Sequence, residues 1–236
     1  MSADRTAILF FSHRPEREWQ NKQFVRQDYA KNRRVAEAFY QHTRRAVAES
    51  SLPVLEVTDA QQRGDSFGAR LANAFADAFA EGYDRVIAVG SDCPTLHEVD
   101  WTAVADRLGE GTPVLGPTVD EAGAYLIGVP RAQFDRDAFA ALPWQSPGLL
   151  SALTSHLMAT SGTTPARLPA RADVNDHEEL VRLLRGASSS AVLLERLRHV
   201  LGEARQRTHF YPRGAMRPVL ERRSRAPPSV RRSSHV

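Results

Sequence analysis

The sequence of 236 residues contains a single cysteine, Cys93, and no long apolar run. One cysteine cannot form an intramolecular disulfide, and no Cys/His spacing in the chain matches a structural zinc site. The longest apolar run near the start, residues 7–11, has the length of a β-strand. A membrane-spanning helix needs about 20 such residues. We therefore expect a cytoplasmic protein, without a membrane span and without the disulfide framework of a secreted protein.

The chain also lacks the Gly-Lys-Ser/Thr element of a phosphate-binding P-loop. Nucleotide hydrolysis of that type therefore has no support. The loop at 61–70 nevertheless leads into a predicted helix, whose free amide groups and dipole can hold a phosphate. Arg63 and Arg70 can meet a diphosphate at the same place.

Charge is distributed unevenly along the chain, whose net formal charge is +3. Residues 205–236 contain nine arginines against one acid, Glu221, or about +8, which leaves residues 1–204 at −5. The tail is also rich in proline and serine, so we expect one domain over 1–203 and a disordered basic tail over 204–236. No recognition motif accompanies these arginines, and nucleic acid is not an expected partner.

Strand-length apolar runs alternate with segments of helical periodicity. Strands are predicted over 6–12, 53–58, 85–90, 113–116, 124–129 and 166–169, and helices over 33–49, 69–81, 101–108, 148–159, 178–184 and 190–201. Gly82 stands where a helix ends, and Asp100 where one begins. This alternation predicts an α/β domain with an open, mostly parallel sheet and helices on both faces.

The segment 90–94, Gly-Ser-Asp-Cys-Pro, comes at the end of the predicted strand 85–90, which is β-branched and nearly all apolar. Ligands of open α/β sheets bind beyond the carboxyl ends of the strands, so Asp92 is a candidate ligand of Mg²⁺ or Mn²⁺. The alternative is a turn-forming aspartate. Cys93 is expected to pack rather than to act as a nucleophile, because no nearby histidine supplies a base.

Two further acidic stretches are candidates. Asp120 and Glu121 lie in a glycine-containing segment, 116–128, where they can orient or deprotonate an acceptor hydroxyl, although an ordinary loop between strands has the same composition. The stretch 173–176 reads Asp-Val-Asn-Asp before a predicted helix. Its alternative role is N-capping by Asp176 or Asn175.

Taken in order, these segments resemble a family of glycosyltransferase-like proteins of the arsenosugar-biosynthesis and radical-SAM/selenodomain-associated type. The resemblance extends over about residues 6–185 and rests on the segments 62–71, 90–94, 116–128, 142–145 and 173–180. It implies the nucleotide-diphospho-sugar transferase fold, which is GT-A-like and Rossmann-like. It also implies a site that binds a nucleotide diphosphate through a divalent metal, Mg²⁺ or Mn²⁺.

The resemblance assigns roles to individual positions. The implied metal ligands are Asp92, Asp173 and Asn175, and the implied catalytic carboxylates are Asp120 and Glu121. The implied nucleotide-binding residues are Arg14, Gln62, Gly64, Gly68, Arg70, Ser91 and Asp92. The expected function is metal-dependent transfer of a sugar from a nucleoside-diphosphate sugar to a small acceptor. The alternatives are a nucleotidyltransferase acting on a nucleoside triphosphate and a non-catalytic nucleotide-binding scaffold.

The chain departs from the family pattern at three places. Asn175 replaces a usual aspartate, and the order 120–125, Asp-Glu-Ala-Gly-Ala-Tyr, alters an Asp-Gly-Gly-Tyr element. The Lys-Thr-Arg-Leu stretch that many relatives carry after the first strand is absent. Arg14, Arg17 and Lys22 can supply the missing positive charge, although solvated loop positions would look the same.

Overall fold

The structure is a computed structural model that describes residues 5–186 and 189–202. The predicted tail, 204–236, lies outside the described residues. The strands are β1 (Thr6–Phe11), β2 (Val54–Val57), β3 (Arg85–Val89), β4 (Val114–Pro117), β5 (Ala124–Pro130) and β6 (Ala166–Arg167). The helices are α1 (Pro15–Asn21), α2 (Tyr29–Ala48), α3 (Phe67–Ala80), α4 (Trp101–Gly109), α5 (Arg136–Ala140), α6 (Leu149–Ser161), α7 (His177–Arg185) and α8 (Ala191–Leu201).

The six strands form one sheet in the order β2-β1-β3-β5-β4-β6. Strand β5 runs antiparallel to both of its neighbours, whereas the pairs β1–β2, β1–β3 and β4–β6 are parallel. Five strands therefore point the same way and one points back. This mixed, mostly parallel sheet confirms the predicted α/β fold.

Helices cover both faces of the sheet, as predicted. On one face, α3 and Phe139 of α5 pack against Leu9 of β1 and Val86 of β3. On the other face, α2 and α4 pack against Ile8 and Ile87 of the same strands. Because alternate residues of β1 and β3 point to opposite faces, both strands are apolar after their first residue, as expected for strands buried on both sides.

The remaining helices extend this core. Helices α7 and α8 pack with Phe24 against the outer side of α2. Helix α2 begins at Tyr29, capped by Asp28, rather than at the predicted position 33. Helices α1 and α5 were not predicted. Among the helices of the described residues, none combines the length and the apolar character that a bilayer crossing requires.

The predicted helix ends are confirmed at two positions. The Asp100 side chain accepts a hydrogen bond from the Ala103 amide at 3.0 Å and caps α4. Gly82 follows α3 with a φ of +96°, a conformation that a residue without Cβ adopts at no steric cost.

Two other glycines leave room for aromatic rings. A Cβ on Gly68, in the first turn of α3, would overlap Trp144, and a Cβ on Gly116 of β4 would lie 2.5 Å from the Tyr125 ring. Trp144 also packs against Phe67 and Phe139. These two glycines therefore position aromatic rings.

We predict that Gly68→Ala lowers the free energy of unfolding by about 1–3 kcal/mol, because the added methyl group overpacks against Trp144 and the Ala140 carbonyl. Urea unfolding measures the loss. The matched control is Gly148→Ala, since a Cβ at Gly148 would meet no atom within 4 Å. Equal unfolding midpoints for the two variants would contradict this packing.

Candidate functional site

A cavity of about 660 Å³ opens at the carboxyl ends of β1 and β3. The β4–β5 connection reaches the same edge of the sheet, because β5 runs back from it. Residues that line the cavity include Phe11, Ser12, His13, Glu18, Lys22, Gln62, Phe67, Arg70, Leu71, Ser91, Asp92, Thr118, Tyr125, Ile127, Trp144, Leu149, Asp173 and Asn175. The cavity lies where an open α/β sheet usually binds its ligand.

Lys22 is a cationic side chain in the lining of this cavity. Its ammonium lies 2.7 Å from Asp92 Oδ2 and 3.1 Å from Glu18 Oε1, one helical turn earlier on α1. The Lys22 and Glu18 side chains are 14% and 11% exposed. The pair joins the segment after β1 to the segment after β3, which a second contact also links: Ser12 Oγ donates to Ser91 Oγ at 2.9 Å.

The charges of this pair stabilise each other. Burial acts to raise the pKa of Asp92, but the Lys22 ammonium outweighs it and holds that pKa below its ordinary value. Burial likewise acts to lower the pKa of Lys22, and the carboxylates of Asp92 and Glu18 raise it above its ordinary value. Both groups therefore stay charged near neutral pH.

Gly90 gives the Asp92 carboxylate its place. A Cβ on Gly90 would lie 2.9 Å from Asp92 Oδ1. The Asp92 backbone carbonyl, in turn, accepts a hydrogen bond from the Val174 amide at 3.0 Å. This bond brings the segment 173–175 to the ends of the strands.

Asp173 and Asn175 flank that bond. The Asn175 amide donates to Asp173 Oδ2 at 2.7 Å, and the Asn175 backbone N–H donates to Glu179 Oε2 at 2.7 Å. Asp176 caps α7 by accepting from the Glu179 amide. Capping therefore belongs to Asp176, while Asp173 and Asn175 face the cavity.

The surroundings of Asp173 disfavour the charged form of its carboxyl group. Burial is the main cause that raises the pKa of Asp173 above its ordinary value, and the negative charges of Asp92 and Asp120 act in the same direction. The Asn175 hydrogen bond opposes the shift only in part. Carboxyl groups with raised pKa values in a cavity are typical of acid–base sites.

The structure brings some of the predicted nucleotide-binding residues into the cavity. Gln62, Arg70, Ser91 and Asp92 line it. Arg14 does not, since it binds Asp59 through its backbone and its guanidinium. Gly64 is an exposed loop residue with a φ of +131°, and Gly68 packs beneath Trp144.

The two carboxylates predicted to be catalytic lie beside the cavity and do not line it. Asp120 is exposed and closes a turn, accepting from the Thr118 hydroxyl at 2.6 Å and the Ala122 amide at 3.1 Å. These hydrogen bonds lower the pKa of Asp120. Glu121 is exposed and forms an ion pair with Arg167 at 2.7 Å.

The three predicted metal ligands lie close together, but they do not form a ready divalent-cation site. Asp92 is bound by Lys22, whose ammonium stands where a cation bound to that carboxylate would stand. Asn175 turns its amide N–H towards Asp173. Within residues 5–186 and 189–202, no group of three or more His, Cys, Asp or Glu side chains is placed to hold a metal ion. The metal stays a prediction from the family resemblance.

Cys93 packs in the core, as predicted. Its side chain lies in the cluster on the α2 face of the sheet, and burial raises the pKa of the thiol to about 12. A thiol with that pKa holds almost no thiolate at neutral pH. Cys93 therefore has no nucleophilic role in this arrangement.

The sequence interpretation assigned no site role to Glu18, His13 or Trp144, all of which line the cavity. The one available signal for Glu18 was its spacing of four residues from Lys22, which places the two side chains on one face of a helix. Trp144 was noted only as part of a turn.

Comparison with solved structures identifies the class of fold. The structure is similar to one from Desulfovibrio desulfuricans G20 described as a "putative nucleotide-diphospho-sugar transferase", with a TM-score of 0.66 and 24% identity over 84% of this chain and 97% of that one. The likeness defines this domain as one with the nucleotide-diphospho-sugar transferase fold, as the sequence resemblance implied.

Two further structures match more weakly. Rv0371c from Mycobacterium tuberculosis H37Rv has a TM-score of 0.44 and 16% identity, over 79% of this chain and all of that one. Its homologue from Mycobacterium sp. strain JC1 has a TM-score of 0.42 and 15% identity, over 83% of this chain and 98% of that one. These likenesses are too weak to establish a shared fold.

The particular family follows from the sequence. The family model described as "Uncharacterized protein conserved in bacteria (DUF2064)" matches residues 25–146, about half of the chain, and the chain belongs to this family. No curated protein matches the sequence. The narrower resemblance to the arsenosugar and selenodomain type stays a prediction.

We predict that Lys22→Met lowers the free energy of unfolding by about 2–4 kcal/mol at pH 7, because it leaves the Glu18 and Asp92 carboxylates buried without a counter-charge. The loss should shrink towards pH 4, because the Asp92 carboxylate, once it lacks the Lys22 ammonium, takes up a proton there. Urea unfolding at both pH values measures it. A loss that does not change with pH would contradict the charge-pair explanation.

We predict the opposite effect for Asp173→Asn. The raised pKa of Asp173 makes its charged form a cost to the fold above the ordinary carboxyl pKa, and this cost disappears once the group is protonated at lower pH. The melting temperature should rise by about 2–4 °C at pH 8, the shift that 1 kcal/mol produces in a chain of this size.

The matched control for this variant is Asp120→Asn. Hydrogen bonds lower the pKa of Asp120, so its charged form stabilises the fold and its neutralisation should give no gain at pH 8. The gain for Asp173→Asn should decrease as the pH falls towards 4. A lower melting temperature for Asp173→Asn at pH 8 would rule out this account of the cavity.

Proposed function

We propose that this protein is a transferase that binds a nucleoside-diphosphate sugar and transfers the sugar to a small acceptor. One observation carries the proposal: the 660 Å³ cavity at the carboxyl edge of the sheet is lined by apolar and aromatic residues together with charged ones. A nucleotide sugar likewise combines the faces of its rings with charged phosphates. The volume also lies within the usual range for small-molecule sites.

The apolar and aromatic residues of the lining offer flat ring surfaces to a ligand. Phe67, Tyr125 and Trp144 line the cavity together with Leu71 and Ile127. A base or the apolar face of a sugar ring can pack against such aromatic rings, and an aromatic contact contributes more than its buried area alone. Gly68 and Gly116 give Trp144 and Tyr125 their positions.

The positive charge in the lining can stabilise the negative charge of a departing diphosphate. Two cationic side chains other than histidine line the cavity among the described residues, Lys22 and Arg70. Lys22 is already paired with Asp92 and Glu18, so Arg70 is the cation whose charge is available to a ligand. When a sugar leaves its donor, negative charge develops on the departing diphosphate. Positive groups already fixed beside that charge lower the barrier to transfer.

Asp173 is the group we assign to the acceptor. Its raised pKa makes its ionised form a better proton acceptor than an ordinary carboxylate, and it faces the cavity. It would take the proton of the acceptor hydroxyl as that oxygen attacks the sugar carbon. Asp120, predicted from the sequence for the same task, is the alternative that the experiment includes.

The test begins with thermal unfolding in the presence of nucleoside diphosphates, nucleotide sugars and nucleoside triphosphates, each with and without Mg²⁺ or Mn²⁺. A ligand at about 100 times its Kd should stabilise the protein by roughly 2.7 kcal/mol. For a domain of this size the expected shift is about 5–10 °C. Stabilisation by one nucleotide sugar identifies the donor.

Release of the nucleoside diphosphate from that donor, with a panel of hydroxyl acceptors, then measures turnover. Asp173→Asn should keep donor binding and lower turnover about 10²–10⁴-fold. Loss of turnover in Asp120→Asn alone would return the role to Asp120. Release of pyrophosphate from a triphosphate would favour a nucleotidyltransferase, and binding without turnover would favour a scaffold.

A further inference from the structure

A second, smaller cavity of about 330 Å³ adjoins the first. Its lining residues are all polar: His13, Arg17, Gln20, Asp59, Gln62 and Arg70. Three of them, His13, Gln62 and Arg70, also line the larger cavity, and we call these three the shared wall. A ligand in the larger cavity can therefore extend along the shared wall into the smaller one.

Each residue of the shared wall has a buried polar atom without a hydrogen-bond partner in the described part of the chain. These atoms are His13 Nδ1, Gln62 Oε1 and Arg70 Nε. Buried polar atoms are nearly always paired in folded proteins, so three unpaired atoms on one wall call for an explanation. A ligand that enters the cavities, shifts the side chains that cover these atoms and pairs with them provides one.

The hydrogen bonds around the shared wall define the chemistry of that ligand. Gln62 Nε2 lies 3.2 Å from the Ser12 carbonyl and 3.4 Å from the Val57 carbonyl. Two acceptors fix the orientation of the amide and leave Oε1 as an acceptor. Arg70 Nε can only donate, and His13 Nδ1 can take either role. The ligand must offer an acceptor for Arg70 and a hydroxyl or N–H for Gln62.

Charge identifies the acceptor as an anion. Arg14, Arg17 and Arg70 lie at the smaller cavity or beside it, against the single carboxylate of Asp59, which pairs with Arg14 at 3.3 Å and Arg17 at 3.7 Å. The Arg17 side chain is 67% exposed, so most of its guanidinium stays accessible. The carboxylates of Glu18, Asp92 and Asp173 lie along the larger cavity instead.

We propose that the shared wall binds the phosphorylated-sugar part of the ligand without a divalent cation. Arg70 donates to a phosphate oxygen, Gln62 accepts from a sugar hydroxyl, His13 pairs with either, and Arg17 faces the outer phosphate charge. Guanidinium groups thus supply the charge that the family resemblance assigns to a metal. The proposal depends on the proposed function only in assuming that the phosphorylated sugar belongs to a nucleotide.

Isothermal titration calorimetry of the full chain in EDTA tests the proposal, with UDP, GDP, ribose 5-phosphate and glucose 1-phosphate as probes. At least one probe should bind. Arg70→Gln should weaken that binding about 10-fold or more, because it removes a hydrogen bond to a charged group. Arg17→Gln should weaken it about 2–5-fold, as expected for an exposed charge pair.

Arg63→Gln is the matched control. The sequence suggested that Arg63, in the same loop as Gln62, meets a diphosphate, but the structure places it elsewhere: it is 65% exposed, pairs with Asp77 at 2.6 Å and lines neither cavity. Its variant should bind within about twofold of the wild type. Because Arg17 is exposed, Arg17→Gln remains informative if Arg70→Gln fails to fold.

Three results would overturn the proposal. The first is binding that requires Mg²⁺ or Mn²⁺ and disappears in Asp92→Asn. The second is wild-type affinity in Arg70→Gln or, if that variant does not fold, in Arg17→Gln. The third is no binding of any probe. A sugar phosphate that binds in EDTA while neither nucleotide does would support the shared wall and count against the proposed function. Tighter binding of UDP or GDP identifies the nucleotide as the source of the phosphate.

Discussion

The contact between Lys22 and Asp92 holds the site together. Asp92 follows β3, and Lys22 follows the short helix after β1, so the pair closes two loops over the ends of adjacent strands. Glu18 adds a second carboxylate to the same ammonium. A buried charge without a partner costs far more than the pair contributes, so each of these residues depends on the others being present. The cavity takes its shape from this mutual requirement.

Much of the fold follows from the sequence, because β1 and β3 are buried on both faces and read as continuous apolar runs. Helix α1 gives no such signal, because its buried residues include the charged Glu18. The direction of β5 was within reach of the sequence. Six residues separate it from β4, too few for the crossover that a parallel pair needs, and an antiparallel pair follows.

Position after a strand predicted Asp92 from the residues alone. Gln62, Ser91, Asp173 and Asn175 received their roles from the family resemblance, and all of them line the cavity with Asp92. Asp173 became part of the site through a backbone bond from Val174 to Asp92, across more than 80 residues of sequence, and no local pattern reports such a contact. Arg167, the partner of Glu121, is likewise remote in sequence, at a separation of 46 residues. Position relative to a strand end is a local property, whereas the pairing of charges belongs to the whole fold.

The reversed strand β5 gives this edge of the sheet a feature that strand ends alone do not provide. Its connection to β4, residues 118–123, is the tip of a hairpin that stands beside the cavity. A hairpin tip can gain or lose a residue without changing the strand register below it. The altered Asp-Glu-Ala-Gly order lies in this tip, so evolution can change the entrance to the cavity there while Lys22, Asp92 and the core stay as they are. Differences between relatives at the entrance to this cavity are then expected to concentrate in the length of this one turn.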